Sequence, residues 1–278
     1  MKFLIVSEKS VKDIIPLTVA SLKHFQPNCR IDLIVPNSDL DTFFKIFRDH
    51  DFVKIYDEKD FVDGFTKPVI QTALGPFGFR AGWYLQQLVK LNYARFTSCD
   101  KYIIWDSDTV QLNRLTFYNK GGIYLNRSKN LHPPYRKAIE RIFGGIIPPA
   151  QESFVSQFMV IETFVANLML DDIKNICGVD HWFEGVLKSI PLNGPSEFSE
   201  FETYASYAMF RFPDKYNINR SNWFLYGSDI LGGREIRCLE EIQNIFPGFD
   251  YVSFERFHKK NFVKSLYAQL CLKLRISS

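Results

Sequence analysis

Short apolar runs alternate with helix-like patterns through the first part of the chain. KFLIV at 2–6, IDLIV at 31–35 and FVKIY at 52–56 are too short for buried helices and predict strands. The stretch 14–25 between the first two runs has helical spacing of its apolar residues. Strands that alternate with helices form mostly parallel sheets. The sequence therefore predicts an α/β fold in which helices flank a mostly parallel sheet.

A fourth apolar run, YIIW at 102–105, is followed directly by Asp106, Ser107 and Asp108. Ligands of open α/β sheets bind at the carboxyl ends of the strands. Residues two apart on an extended chain point the same way, so both carboxylates can face one ion, and such hard ligands suit Mg²⁺ or Mn²⁺. A solvated turn is the alternative, because Asp and Ser are common turn formers. Spacing alone supports both interpretations equally.

Composition narrows the possible classes of protein. The chain has 278 residues, 46% of them hydrophobic, which is enough for a substantial core. A net charge of +3, from 34 basic and 31 acidic residues, is too balanced for general nucleic-acid binding. Five scattered cysteines without a CxxC pair argue against a disulfide framework or a thiolate zinc site. We therefore expect reduced thiols in a cytoplasmic protein that binds no nucleic acid.

Neither a signal peptide nor a spanning helix is predicted. The first apolar run has only four residues before Ser7, and no apolar stretch approaches the ~20 residues that a spanning helix needs.

The segment before the fourth strand divides into a predicted loop and a predicted helix. Residues 57–79 carry Gly and Pro too densely for a regular element and predict a loop over the strand ends. Residues 80–96 form an amphipathic helix pattern, with Tyr84, Leu88 and Leu91 on one face. A second, polar and aromatic face contains Trp83, Gln86, Gln87 and Lys90.

The remainder of the chain predicts one more strand, at 156–162, and helices over 163–175, 181–188 and 199–210. Neither an internal repeat nor a low-complexity linker interrupts the sequence. We therefore predict a single catalytic domain over residues 1–255 and a basic amphipathic tail over 256–278.

The helix GWYLQQLVKLNYARF, the strand YIIW and the triplet DSD together resemble the DXD-containing glycosyltransferases of the GT-A fold. GWYLQQLVKL, with SQFMVIE and FSEFETY, is similar to a bacterial group of glycosyltransferases found with surface-polysaccharide (lipopolysaccharide or capsule) genes. The resemblance covers most of residues 1–260. It implies a GT-A-like, Rossmann-related fold and sugar transfer from a nucleotide-sugar donor, above all a UDP-sugar, to a glycan or lipid-linked saccharide acceptor.

The resemblance also assigns roles to particular residues. In that family the DXD motif binds Mn²⁺ or Mg²⁺, and the ion holds the donor diphosphate. Carried over, Asp108 is a direct metal ligand and Asp106 contacts the ribose or the metal. Lys90 approaches donor phosphate, unless it is an ordinary solvated lysine. Arg80 and Trp83 meet the nucleotide sugar, with core packing as the alternative for Trp83.

Further assignments rest on where residues stand in the chain. Many family members supply another metal ligand late in the sequence, which here favours His258 over His132 and His181. Ser7 and Asp57 follow or end the first and third strands, where the family contacts the donor nucleotide.

An inverting transfer needs a carboxylate base within reach of the acceptor hydroxyl. The segment PSEFSEFETY offers Glu200 as first choice and Glu202 as second. Alternatively, Ser199 caps a solvated helix terminus where acids interact well with the helix dipole. A retaining enzyme needs no such base, and the sequence does not decide between the two mechanisms.

Two other function classes compete with glycosyl transfer. Nucleotidyltransferases and phosphatases also place paired Asp residues on α/β sheets, but the first strand here ends in Ser7 and Glu8, without a phosphate loop or an Asp nucleophile. A non-catalytic carbohydrate- or membrane-binding module would use the 16% aromatic content, yet it leaves DSD without a role.

The tail carries an apolar stripe flanked by five cations. As a terminal helix it would pack on the catalytic domain; as an interfacial helix it would bind the inner face of the cytoplasmic membrane as a peripheral contact. The stripe consists of Phe262, Leu266, Leu270 and Leu274.

Overall fold

The structure, a computed structural model, describes residues 1–129, 131–232, 238–255, 268–269 and 271–273. The strands are β1 (Lys2–Val6), β2 (Arg30–Val35), β3 (Val53–Asp57), β4 (Lys101–Trp105), β5 (Thr109–Gln111), β6 (Tyr118–Asn119), β7 (Gly122–Asn126), β8 (Phe158–Glu162), β9 (Tyr216–Asn219), β10 (Trp223–Phe224) and β11 (Tyr251–Ser253). The helices are α1 (Ile15–Phe25), α2 (Leu40–Ile46), α3 (Lys67–Leu74), α4 (Ala81–Asn92), α5 (Pro133–Ile142), α6 (Thr163–Cys177), α7 (Trp182–Ser189), α8 (Glu200–Arg211), α9 (Gly227–Leu231) and α10 (Leu239–Ile245).

In the described part of the chain, the central sheet has five strands in the order β3-β2-β1-β4-β8. The first four are parallel to one another. β8 runs antiparallel to β4, with Trp105 opposite Phe158. The predicted α/β class with a mostly parallel sheet is thus confirmed. The predicted strand at 156–162 forms as β8, and its reversed direction brings its first residues to the carboxyl end of β4.

The central strands are buried on both faces, which explains why their sequences are continuously apolar. Phe3, Leu4 and Ile5 of β1 are fully buried although they point alternately to opposite faces. At the carboxyl end of β4 the Trp105 ring stacks on Phe158, with ring centroids 5.3 Å apart. Burying one large apolar side chain stabilises a fold by about 1.5–3 kcal/mol, and the central sheet buries several of them.

A second sheet, β10-β11-β5, continues from the DSD segment. β5 begins at Thr109, directly after Asp108, and pairs antiparallel with β11 so that Ser253 lies opposite Thr109. This register brings the residues that follow β11 to the DSD segment. A third sheet of the described residues has the order β6-β7-β9.

The loop predicted over 57–79 is only partly correct. Pro68 occupies the first turn of α3, where a missing N–H is tolerated. Ile70 and Leu74 are buried. Gly75 then ends the helix with a φ of +53°, a conformation that glycine adopts readily. The Gly and Pro residues therefore bound a short helix here.

Only a few residues of the predicted tail are described. Ala268 and Cys271 are buried in an apolar cluster that also contains Val110, Phe224 and Val252. The stripe residues and His258 lie outside the described residues, and the boundary between residues 255 and 256 remains a prediction. No helix in the described ranges has both the length and the apolar character to cross a membrane.

Candidate active site

One face of α4 is covered by the start of α8. Tyr84, Gln87 and Lys90 are spaced three residues apart and share this face. The Glu197 N–H donates to the Tyr84 hydroxyl at 3.1 Å, and the Glu200 N–H donates to Gln87 Oε1 at 3.1 Å. As a result Gln87 and Lys90 are only 2% and 4% exposed. Of the predicted polar face, Gln87 and Lys90 are therefore internal, whereas Trp83 and Gln86 are half-buried. The interpretation of Lys90 as a solvated lysine is wrong.

Lys90 joins two carboxylates at the carboxyl end of β4. Its Nζ donates to Asp106 Oδ1 at 2.7 Å and to Glu200 Oε1 at 2.8 Å. The ammonium also lies 5.2 Å from the centroid of the Phe201 ring. Burial alone would lower the pKa of Lys90, but the two acidic neighbours outweigh burial and raise it. Lys90 is therefore a fixed cation whose charge is shared by two elements of the fold.

The DSD segment is a turn, as one interpretation predicts, but the turn is not simply solvated. The Thr109 N–H donates to the Asp106 carbonyl at 3.1 Å, and Thr18 of α1 donates to the Ser107 carbonyl at 3.1 Å. Asp106 and Asp108 are half-buried. The turn thus orients both carboxylates beside the Lys90 cluster.

Asp108 and Glu255 are two carboxyl groups that lie close to each other and to Asp106. Burial, followed by repulsion from Asp106, raises the pKa of Asp108 to about 7. Burial and then the charges of Asp108 and Asp106 raise the pKa of Glu255 to about 7. Sequence reasoning missed Glu255. Its signal is weak, since it is only a polar residue shortly after a strand, and the pairing of β11 with β5 is what brings it here.

Glu202 is held by a separate set of bonds. The Ser153 hydroxyl donates to Glu202 Oε1 at 2.5 Å, and the Phe154 N–H donates to the same oxygen at 3.2 Å. Ser199 is the N-cap of α8 and accepts a hydrogen bond from the Glu202 N–H, as predicted. Glu200 and Glu202 are only 5% and 6% exposed, so the helix terminus is not solvated. Burial raises the pKa of both carboxyl groups.

Arg80 and Trp83 lie together at the start of α4. The guanidinium carbon is 4.5 Å from the centroid of the Trp83 ring, and Arg80 donates to the Ser196 hydroxyl at 3.3 Å. Burial lowers the pKa of Arg80, and its charge acts on Glu255. Trp83 is half-buried against the core, so its ring has one packed side and one side under the guanidinium.

Ser7 and Asp57 are both at the carboxyl edge, but at different distances from DSD. β1 is next to β4, so Ser7 lies one strand away. Asp57 ends β3, which is three strands or about 14 Å from β4. Burial would raise the pKa of Asp57, but hydrogen bonds from Lys59 and Asn37 outweigh burial and lower it. The buried Ser7 hydroxyl has no hydrogen-bond partner among the described residues.

The histidine candidates are not equivalent. His132 is exposed, and its Nε2 lies 2.9 Å from the Ser196 carbonyl oxygen. His181 precedes α7 and stacks on Phe183. His258, the favoured late metal ligand, lies outside the described residues.

The donor set at DSD fits a hard divalent cation. Asp106 and Asp108 offer two carboxylates, and Mg²⁺ or Mn²⁺ commonly takes one or two carboxylates and completes its shell with water and phosphate oxygens. Across the described ranges, no three His, Cys, Asp or Glu side chains are grouped closely enough to hold a metal ion. The residues therefore fit an ion shared with a phosphate-bearing ligand better than an ion caged by protein alone.

A family model described as a family of unknown function, DUF6492, matches residues 12–223. The chain belongs to DUF6492. The matched segment of this DUF6492 member includes Lys90, the DSD segment and Glu200, whereas Glu255 lies beyond it. No curated protein matches the sequence.

Solved glycosyltransferases resemble this DUF6492 member in structure. The galactosyltransferase LgtC, solved with donor and acceptor sugar analogs, superposes with a TM-score of 0.53 at 10% identity, over 100% of this chain and 97% of LgtC. Mouse xyloside xylosyltransferase 1 in its apo form gives 0.48 at 11% identity, over 91% of this chain and 97% of the mouse chain. The likeness to LgtC shows that the fold is of the GT-A glycosyltransferase type.

Proposed function

We propose that the chain is a metal-dependent glycosyltransferase. It moves a sugar from a nucleotide-sugar donor, above all a UDP-sugar, to a glycan or lipid-linked saccharide in bacterial surface-polysaccharide synthesis. The observation that carries the proposal is the buried Lys90–Asp106–Glu200 cluster beside Asp108, at the sheet edge where α/β folds bind ligands. The shared GT-A fold supports the reaction class.

Asp106 and Asp108 would hold Mn²⁺ or Mg²⁺, which when bound stabilises negative charge on a leaving diphosphate. Burial, and then repulsion between neighbouring carboxylates, raises the pKa of Asp108 and Glu255. A dication at Asp106 and Asp108 would favour the ionised form of these groups. Lys90 engages one oxygen of Asp106 and leaves the other for a ligand.

Lys90 acts on the donor through Asp106 in this proposal. The residue is 4% exposed and its ammonium is already bonded to two carboxylates, so it is not free to reach a phosphate directly. Its role is to hold the Asp106 carboxylate in one orientation and to keep it ionised. Arg80, with its guanidinium over Trp83, is the better-placed cation for the donor or the acceptor.

The contacts of Glu200 favour an orienting role over that of a free base. Glu200 is bonded to Lys90, and Glu202 is bonded to Ser153 and to the Phe154 N–H. These bonds use only Oε1 of each carboxylate, but a proton taken up on Oε2 would weaken the bonds that Oε1 accepts, which is costly in a low-dielectric site. The prediction of Glu200 or Glu202 as base remains open to direct test.

The deciding experiment measures the melting temperature with UDP, GDP or CMP, each with and without Mn²⁺. A ligand that binds only the native state raises the melting temperature. At a ligand concentration 100 times the dissociation constant, it adds about 2.7 kcal/mol to the free energy of unfolding. We expect a rise with UDP and Mn²⁺ together that neither gives alone. If no nucleotide shifts the transition in any metal, the proposal fails and a binding module becomes the better interpretation.

Glu200→Gln and Glu202→Gln distinguish base from orienting residue. A base loses several orders of magnitude in transfer rate with unchanged donor affinity. Removal of an orienting carboxylate weakens UDP–Mn²⁺ binding together with the rate. We expect the second pattern for Glu200→Gln.

A further inference from the structure

Gln157 has an unusual backbone conformation for its residue type. Its φ is +69°, and within the described ranges Leu192, at +58°, is the only other non-glycine residue with a positive φ. Left-handed backbone is disfavoured for residues with a Cβ and persists only where surrounding contacts impose it. Gln157 is 5% exposed, so those contacts are internal.

Four hydrogen bonds account for the conformation. The Gln157 carbonyl accepts from the Asp106 N–H at 2.9 Å. Its side-chain Oε1 accepts from the Thr109 hydroxyl at 3.3 Å and from the Ser253 hydroxyl at 3.2 Å. Its Nε2 donates to Glu255 Oε1 at 3.2 Å. One residue thus bonds to both sides of the DSD turn and to the neighbouring strand β11.

The amide of Gln157 has a donor side and an acceptor side, and both are engaged. Its nitrogen faces Glu255 Oε1, and its oxygen faces the Thr109 and Ser253 hydroxyls, which can donate to it. The Ser253 hydroxyl also lies beside Asp108. The side chain of Gln157 therefore acts on the acidic residues through protein groups.

We propose that Gln157 is a positioning residue that sets the DSD carboxylates and Glu255 in the arrangement that binds metal and nucleotide. The inference rests on the proposed function and adds a residue outside the charged cluster. With its left-handed backbone, Gln157 directs its carbonyl to Asp106 while its amide reaches Ser253 and Glu255. Gln157 and Glu255 together link the start of β8 with the end of β11.

The test compares Gln157→Asn with the wild-type chain by titration with Mn²⁺ in the presence of UDP. Asn tolerates left-handed backbone but is one methylene shorter, so the variant keeps the turn and loses the reach to Ser253 and Glu255. Loss of residues that orient metal ligands typically weakens metal affinity about 10–100-fold. We expect at least a tenfold loss of Mn²⁺ affinity and a parallel loss of UDP affinity. Leu192→Gly, which relaxes the other left-handed residue, is the matched control and leaves both affinities unchanged.

A double-mutant cycle separates positioning from general stabilisation. If Gln157 acts through Glu255, Gln157→Asn weakens Mn²⁺ binding much less in a Glu255→Gln background than in wild type. If Gln157 acts independently of Glu255, the two substitutions give additive losses of Mn²⁺ affinity. If Gln157 only stabilises the fold, Gln157→Asn lowers the melting temperature and leaves the affinity unchanged. Wild-type Mn²⁺ affinity in Gln157→Asn, or additivity in the cycle, overturns the inference and leaves the proposed function intact. A wild-type chain that binds neither Mn²⁺ nor UDP overturns both.

Discussion

Two ion pairs at opposite edges of the central sheet differ in distance and burial. At the carboxyl edge, Lys90 and Glu200 are 2.8 Å apart and their side chains are only 5% and 6% exposed. At the amino edge, Lys101 and Glu162 are 3.6 Å apart and the lysine side chain is 33% exposed. A more exposed pair keeps more of its hydration. The Lys90–Glu200 pair is therefore held at higher free-energy cost than the Lys101–Glu162 pair, although the amino edge also contains the buried Asp32, which is bonded to Lys2.

Two grooves, of about 320 and 440 Å³, lie at the amino edge of the sheet and share Lys101 and Tyr118 in their walls. Their walls contain both acidic and basic side chains, and Lys101 and Lys215 each lie 3.6 Å from Glu162. Neither groove includes Lys90, Asp106 or Glu200.

Asp108→Ala makes the largest difference between the two edges. We expect transfer and Mn²⁺-dependent UDP binding to fall at least ~1,000-fold, because the variant removes a carboxylate that no neighbour replaces. The protein remains folded, since the substitution relieves repulsion with Asp106 and Glu255. Asp214→Ala, in a groove at the amino edge, is the control and keeps wild-type binding. Normal turnover of Asp108→Ala would end the metal hypothesis.

Lys90→Met tests the buried pair directly through the free energy of unfolding. It leaves Asp106 and Glu200 without their cation, which in buried sites destabilises proteins by about 3–5 kcal/mol. Lys101→Met at the amino edge should change stability by less than ~1 kcal/mol. Urea denaturation measures both. Addition of Glu200→Gln to Lys90→Met should recover part of the loss, and equal effects of the two single variants would remove the contrast between the edges.

The acidic pair predicts a pH dependence of stability without metal. Asp108 and Glu255 have pKa values of about 7 in the folded chain, above their ordinary values of 3.8 and 4.5, so the folded state holds protons that the unfolded state releases. Stability therefore falls as the pH rises from about 4 towards 7 and levels off above it. Between pH 5 and pH 8 we expect a loss on the order of 1–3 kcal/mol.

Asp108→Asn is the control for this pH dependence and should flatten it, as should saturating Mn²⁺. Denaturant midpoints measured across the pH range provide the data. A stability that rises from pH 5 to pH 8, or a slope that Asp108→Asn leaves unchanged, would contradict the assignment.

Tyr216→Phe should have a modest effect on the free energy of unfolding and none on ligand binding. The Tyr216 hydroxyl donates to Glu162 at 2.9 Å and lies 3.1 Å from the Tyr204 hydroxyl, at the amino edge. Loss of these bonds should destabilise the chain by about 1–2 kcal/mol and leave UDP–Mn²⁺ affinity unchanged. A drop in affinity would show that the two edges are coupled.

Much of the carboxyl edge follows from local sequence. The continuous apolar runs predict β1, β2, β3 and β4, because a doubly covered sheet needs strands that are apolar on both faces. The position of DSD after β4 follows from the same pattern. Helix α3 was missed because its Pro and Gly, taken as marks of a loop, lie at its ends.

The rest of the candidate site depends on contacts between distant segments. Lys90 is buried because α8 covers α4, and a helical pattern alone does not show which partner covers a polar face. Gln157 lies beside Asp106 because β8 is antiparallel, and strand direction is not encoded in an apolar run. Glu255 reaches the site through the register of β11 with β5, which no local feature specifies.

The order in which the chain is synthesised gives these distant contacts a further meaning. Lys90 and Glu200 are 110 residues apart, and Gln157 and Glu255 are 98 residues apart. A nascent chain that has emerged as far as residue 150 contains β1 to β4, the DSD turn and Lys90, but it lacks Gln157, Glu200 and Glu255. Long-range contacts of this kind form late in folding. If the chain binds a nucleotide as proposed, this binding would require translation past β11 and Glu255, so binding competence would report that synthesis has passed residue 255.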